Sequence, residues 1–147
     1  MSYTDTFILV SEDCPVEYGT VPVPTRAGTP AHLIQYELLT EKPYTYNHED
    51  LIYEVHVRHK NIPEDVRESD GETIRRELFA KSHPCLRASM LPKRYGWGVH
   101  YDNEGKIAIY GMESPEYQAF VSGERGGTKL LRAMRSKRKG SGPEMPE

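Results

Sequence analysis

The stretch Gly96–Gly111 constrains what this chain can fold into more than any other. Trp97, Val99 and Tyr101 alternate with Gly98 and His100, Asp102-Asn103-Glu104-Gly105 supplies turn chemistry, and Ile107 and Ile109 resume the alternation. Side chains point to opposite faces of a strand in turn, so period-two patterning on both sides of a turn specifies an antiparallel hairpin. A type I turn closed by Gly105 in the left-handed region suits this loop. Pairing Asp102 with Lys106 sets Tyr101 opposite Ile107, His100 opposite Ala108, Val99 opposite Ile109 and Tyr110 over Gly98. Trp97, Val99, Tyr101, Ile107 and Ile109 then form one apolar face, and His100, Ala108 and Tyr110 the other.

A lone hairpin is marginal in water and needs a covering layer. Thr6–Val10 is β-branched and aromatic and predicts another strand. Thr29-Pro30 and Ser114-Pro115 each place a hydroxyl before a proline, the start signal of a helix. Ala31, Ile34 and Leu38 then recur at helical spacing until Pro43, and Tyr117 and Phe120 point inward from the second start. Residues 63–81 predict a helix in their second half, where Ile74 and Leu78 are one turn apart. Leu51–Arg58 alternates, with Leu51, Tyr53, Val55 and Val57 on one side and Ile52, Glu54, His56 and Arg58 on the other. Asn47, Glu49 and Asp50 suit a helix cap, but the β-branched alternation favours a strand. Thr128 predicts the cap of a last helix that turns Leu130, Leu131 and Met134 inward. The expected fold is α+β, a small mostly antiparallel sheet including hairpin 97–110, with helices packed on one face. One domain spans 1–139, and 140–147 is a flexible tail.

The 147 residues suit one domain. No apolar run approaches the ~20 residues of a membrane helix, and the N-terminus lacks the basic start and cleavage site of a signal peptide. The expected compartment is therefore the cytoplasm, with Cys14 and Cys85 as thiols. Residues 1–128 carry 20 acidic and 13 basic side chains, whereas 129–139 carry six basic and no acidic ones. An acidic body argues against nucleic acid as the partner.

Ser82–His100 is the stretch best suited to chemistry. Arg87, Lys93 and Arg94 are three cations in a segment free of acidic residues, accompanied by Ser82, Ser89, Tyr95, His83 and His100. Arg makes two parallel hydrogen bonds to phosphate or carboxylate, and irregular loop amides add dipoles, so this composition suits an anion. The competing interpretation pairs the cations with the acidic body and buries Trp97 as core. Tyr95-Gly96-Trp97-Gly98-Val99-His100-Tyr101 is somewhat similar to the aromatic strand of RNA-binding sheets, but the hairpin register turns Trp97 and Tyr101 into the core. Cys85, near His83 and Arg87, is a candidate nucleophile; a small buried hydrophobe is the ordinary role of such a cysteine. No metal site is expected: His56 and His59 on a strand point to opposite faces, and His83 with Cys85 lacks a second pair at zinc spacing. If strand 51–58 adjoined the hairpin, Glu54, His56, Arg58 and His100 would share a face.

Several words of the sequence point to a family. Cys85-Leu86-Arg87-Ala88-Ser89 and Lys93-Arg94-Tyr95-Gly96-Trp97-Gly98-Val99-His100 carry most of the resemblance, with Tyr3–Ile8, Cys14-Pro15, Gln35–Leu39, Pro43-Tyr44, Glu113–Tyr117 and Met134–Lys137. Over residues 2–138 the chain resembles a family of small bacterial proteins defined as a domain of unknown function. The resemblance implies a soluble bacterial cytosolic protein and carries over no activity, cofactor or site residue.

The leading functional expectation is a non-enzymatic binding module in which Arg87, Lys93 and Arg94 supply charge to an anionic ligand or partner. Tyr95 and His100 would orient it, with no cofactor and no membrane. The alternatives are an enzyme using Cys85 or a histidine, and an interaction protein that docks through the basic 129–139 segment.

Overall fold

The computed structural model describes residues 3–26, 28–124 and 126–135. The element order is β1 (Thr6–Leu9), α1 (Ala31–Glu41), α2 (His48–His59), α3 (Glu64–Phe79), a 3-10 turn (Leu86–Ala88), α4 (Met90–Arg94), β2 (Trp97–Tyr101), β3 (Ile107–Gly111), α5 (Pro115–Ser122) and β4 (Lys129–Arg132). The fold is α+β, as the patterning indicates. Its sheet has the order β3-β2-β1-β4. Only the β1–β4 pair is parallel.

The hairpin takes the expected register, with Gly98 opposite Tyr110, Val99 opposite Ile109 and Tyr101 opposite Ile107. Asp102 Oδ1 accepts hydrogen bonds from the N–H groups of Glu104 (2.9 Å) and Lys106 (2.8 Å), and Gly105 sits at φ +80°. A β-branched residue is strained in that conformation, so Gly105→Val is expected to cost roughly 1–2 kcal/mol. An unchanged melting temperature would contradict this.

Both faces of the sheet are covered. Ile8, Val99, Tyr101 and Ile107 pack with Ile34, Leu38 and Leu39 of α1, Leu51 of α2 and Leu91 of α4. On the other face Phe7 and Val10 pack with Tyr117 and Phe120 of α5. The Tyr117 hydroxyl oxygen also accepts from the Val10 N–H at 2.9 Å. The face left to His100, Ala108 and Tyr110 is thus a second apolar layer.

Two expectations are corrected. Residues 51–58 are helical. Asn47 Oδ1 caps α2 by accepting from the Asp50 N–H at 2.8 Å, Glu49 and Asp50 lie in the first turn, and His56, Arg58 and His59 lie in the last. That charge order complements the helix dipole, and it outweighs the β-branched alternation. The shared face of Glu54, His56, Arg58 and His100 therefore does not form. Likewise 129–132 is a strand, because pairing with β1 satisfies a row of backbone groups that a helix would leave open at the sheet edge. Leu130 and Met134 are 40% and 51% exposed rather than turned inward. Residues 136–147, including the rest of the basic segment and the expected tail, lie outside the described residues.

The start of α1 also differs in detail: Pro30 is its N-cap, with no side-chain capping bond. In α5, Ser114 Oγ accepts from the Tyr117 N–H at 3.1 Å, as its sequence suggests.

Candidate functional site

Arg87 donates from Nε to the Arg132 carbonyl at 2.9 Å, and its own carbonyl accepts from the Met134 N–H at 2.9 Å. The residue therefore fastens the 3-10 turn to β4. Lys93 and Arg94 occupy the last turn of α4, half-buried and exposed respectively. Tyr95 stacks on His32 with ring centroids 5.1 Å apart. His100 lies on the α5 face, with Nδ1 2.8 Å from the Tyr44 hydroxyl, which is in turn 2.8 Å from the Tyr110 hydroxyl. The sheet separates it from Leu86 and Leu91, which pack on the α1 face.

Cys85 and Cys14 are both free thiols. The Cys85 thiol lies 3.5 Å from the Tyr3 hydroxyl. Burial, then the Cys85 contact, pushes the Tyr3 hydroxyl above its usual range, while Arg87 acts in the opposite sense. His83 turns elsewhere: its Nε2 is 2.7 Å from the Leu78 carbonyl. A carbonyl only accepts, so Nε2 carries the proton of that bond.

A partly open cleft lies between α2, α3 and residues 82–86. Helix α3 buries no residue fully. It is held to α2 by charges: Arg67 with Glu54, Arg75 with Asp50 at 2.9 Å, and both guanidinium groups over the Tyr53 ring, at 5.2 and 5.0 Å from its centroid. Such polar fastening leaves the helices incompletely packed, and three adjoining hollows run beneath α3. The middle one, about 230 Å³, is lined by His48, His56, His59 and His83 among apolar residues that include Val55 and Leu78. One neighbour, about 430 Å³, shares His48, Ile52 and His83 with it and adds Glu49, Lys81 and Ser82. The other, about 370 Å³, shares His56 and Leu78 and adds Ile62, Ile74 and Glu77.

Four of the six histidines therefore converge on one hollow whose lining includes no carboxylate. His48 is 4% exposed, and its Nδ1 is enclosed without a hydrogen-bond partner among the described residues. Burial pushes the His48 and His56 imidazoles below their usual range, with the neighbouring His83 adding to the effect on both. No group of three or more His, Cys, Asp or Glu among the described residues is arranged to hold a metal ion. The site is a histidine-lined amphipathic cleft, able to donate and accept hydrogen bonds at an apolar wall.

These depressed imidazoles set the sign of a pH effect. Protonation below the unfolded value of 6.5 favours the unfolded chain, which binds the proton more readily. The stabilising difference is complete above pH 6.5 and is lost as pH falls toward the depressed folded values. The melting temperature is expected to fall between pH 7.5 and 5.5, and less so in His48→Gln. Equal pH dependence in the two proteins would overturn the assignment to His48.

Sequence reading missed this site because the strand assignment sent His56 and His59 to opposite faces. On α2 they are three residues apart and share a side. Of the 82–100 segment, the part that lines the cleft is its beginning: Ser82, His83, Pro84 and Leu86.

Fold and cleft together define a small α+β domain with a ligand-sized hollow beneath a loosely seated helix. Over residues 1–139 the chain matches a family of unknown function (DUF6157), and it belongs to that family. No curated protein and no solved structure matches it. Among the described residues no helix is long and apolar enough to cross a membrane.

Proposed function

We propose that this chain is a non-enzymatic binding module that holds a small anionic ligand in the cleft between α2, α3 and residues 82–86. The observation that carries this reading is the convergence of His48, His56, His59 and His83 on one hollow whose lining includes no carboxylate. Imidazole N–H groups lining such a space donate hydrogen bonds to an anionic oxygen. An anion also favours the protonated imidazole, whereas a cation meets no acidic wall in the middle hollow. The anionic preference expected from Arg87, Lys93 and Arg94 is thus kept, and its seat moves to the neighbouring cleft.

An enzymatic reading through Cys85 has less support, because its thiol meets Tyr3 while His83 turns to the Leu78 carbonyl.

The test is a thermal-shift panel of acetate, inorganic phosphate, ammonium and magnesium at pH 6 and 8. A ligand bound only by the folded state, at 100 times its dissociation constant, stabilises by about 2.7 kcal/mol. Anions are expected to raise the melting temperature more at pH 6, and His48→Gln to reduce the rise. Stabilisation by the cations alone would overturn the proposal.

A further inference from the structure

We infer that the ligand is a medium-chain monocarboxylate, its head among the imidazoles of the middle hollow and its chain running beneath α3 between Leu78, Ile74 and Ile62. This inference rests on the binding-module reading and adds the chemical class of the ligand.

The three hollows differ in chemistry in a way that orients an occupant. Charges that face this space come from α2 (Glu49, His48, His56, His59), from α3 and the residue pair after it (Glu77, Lys81), and from His83. The acidic ones line the outer hollows, and Lys81 lines both of those. Of these three, the middle hollow is the one that combines hydrogen-bonding rings with no carboxylate in its lining, so an anionic head belongs there. The imidazoles of His48, His56, His59 and His83 line that head's position.

The walls argue for one charge on a long apolar body. Leu51, Ile52, Val55, Leu78 and Leu86 line the middle hollow, and Ile62, Ile74 and Leu78 continue the surface into the next. A multiply charged phosphate would sit against this apolar surface with most of its oxygens unpaired. An alkyl chain would instead displace water from it. From His48 to His59 the α2 axis rises roughly 17 Å, which sets the length available to an extended chain. Helix α3 is held mainly by Arg67, Arg75 and cation–π contacts. It can therefore ride outward on a chain without breaking a tightly packed core.

The experiment is calorimetric titration of the full chain with decanoate below its micelle concentration, acetate and decanol, with histidine ring signals followed by NMR. Decanoate is expected to bind at least a hundredfold more tightly than acetate and tenfold more tightly than decanol, and to move the His48 and His56 signals. Ile74→Trp, which fills the neighbouring hollow from a half-buried position and lies outside the lining of the middle one, is expected to weaken decanoate at least tenfold and leave acetate unchanged. His56→Ala is expected to weaken both anions. If acetate binds as well as decanoate, the chain has no place under α3, and this inference fails while the anion-binding reading stands. If decanol binds as well as decanoate, the anionic head is wrong and both fail. Absence of binding by either anion at millimolar concentration also overturns both.

Discussion

Phe120→Ala is expected to destabilise the domain by about 3–5 kcal/mol, because a buried aromatic removed from a layer this thin leaves a cavity that cannot collapse. Phe120 is 2% exposed and lies parallel to Phe7 with ring centroids 4.3 Å apart. It also contacts His100, whose ring centroid is 4.5 Å away. The second face of the sheet depends on this stack, since its buried members are Phe7, Val10, Tyr117 and Phe120. For a domain of this size the melting temperature should fall by about 10–15 °C. The neighbouring Val121 is 42% exposed, and Val121→Ala should stay within about 0.5 kcal/mol. Equal melting of the two variants would mean that α5 does not seal the sheet.

Gly98→Val should be comparably damaging for the opposite reason. A Cβ at Gly98 would stand 2.5 Å from Phe7 Cζ and 2.7 Å from Tyr117 Cε2. Both rings are buried and held edge-to-face at 5.2 Å, so neither can step aside without opening the layer. Overpacking costs about 1–3 kcal/mol and occasionally more, and contacts this short place Gly98→Val at the upper end. Gly126→Ala is the matched control, because nothing lies within 4 Å of the added atom. Unfolding scans and near-ultraviolet circular dichroism of the pair decide the point: a native spectrum and melting temperature for Gly98→Val would refute it.

The Tyr95–His100 segment packs the sheet and contributes nothing to the lining of the cleft. Gly96 adopts φ +79°, and a Cβ there would meet the Tyr18 carbonyl oxygen at 2.5 Å. Trp97 donates from Nε1 to the Thr20 carbonyl at 2.9 Å. The motif clamps the 18–20 loop onto the sheet, and the rings of Phe7 and Tyr117 lie flush on Gly98. Its chemistry is that of packing.

The parts of the fold legible in the sequence were those decided locally. The hairpin register followed from alternation and from turn residues four positions apart, and α5 from Ser114-Pro115. Helix α2 was misread because its buried positions, His48, Leu51, Tyr53 and Val57, form a broad stripe whose later members mimic alternation. Asn47 was the better signal there. Strand β4 could not be read from its own residues, since what makes it a strand is an edge of β1 more than a hundred residues earlier. The cleft was hidden for both reasons at once. It needs α2 to be helical, and it brings His48 and His83 together across a polar α2–α3 contact that no local pattern announces.

The place of β1 in the sheet sets a timetable for the nascent chain. β1 is an interior strand, flanked by β2 and β4, and it leaves the ribosome before either. At roughly 5–20 residues per second, translation needs on the order of ten seconds to pass from Leu9 to Lys129. Until the β2–β3 hairpin follows, Phe7 and Ile8, both fully buried in the finished domain, have no sheet to enter, and the second edge of β1 stays open until β4 is made. A ribosome stalled before β4 would display an unpaired β1 edge, so incomplete chains of this protein should be early clients of ribosome-associated chaperones.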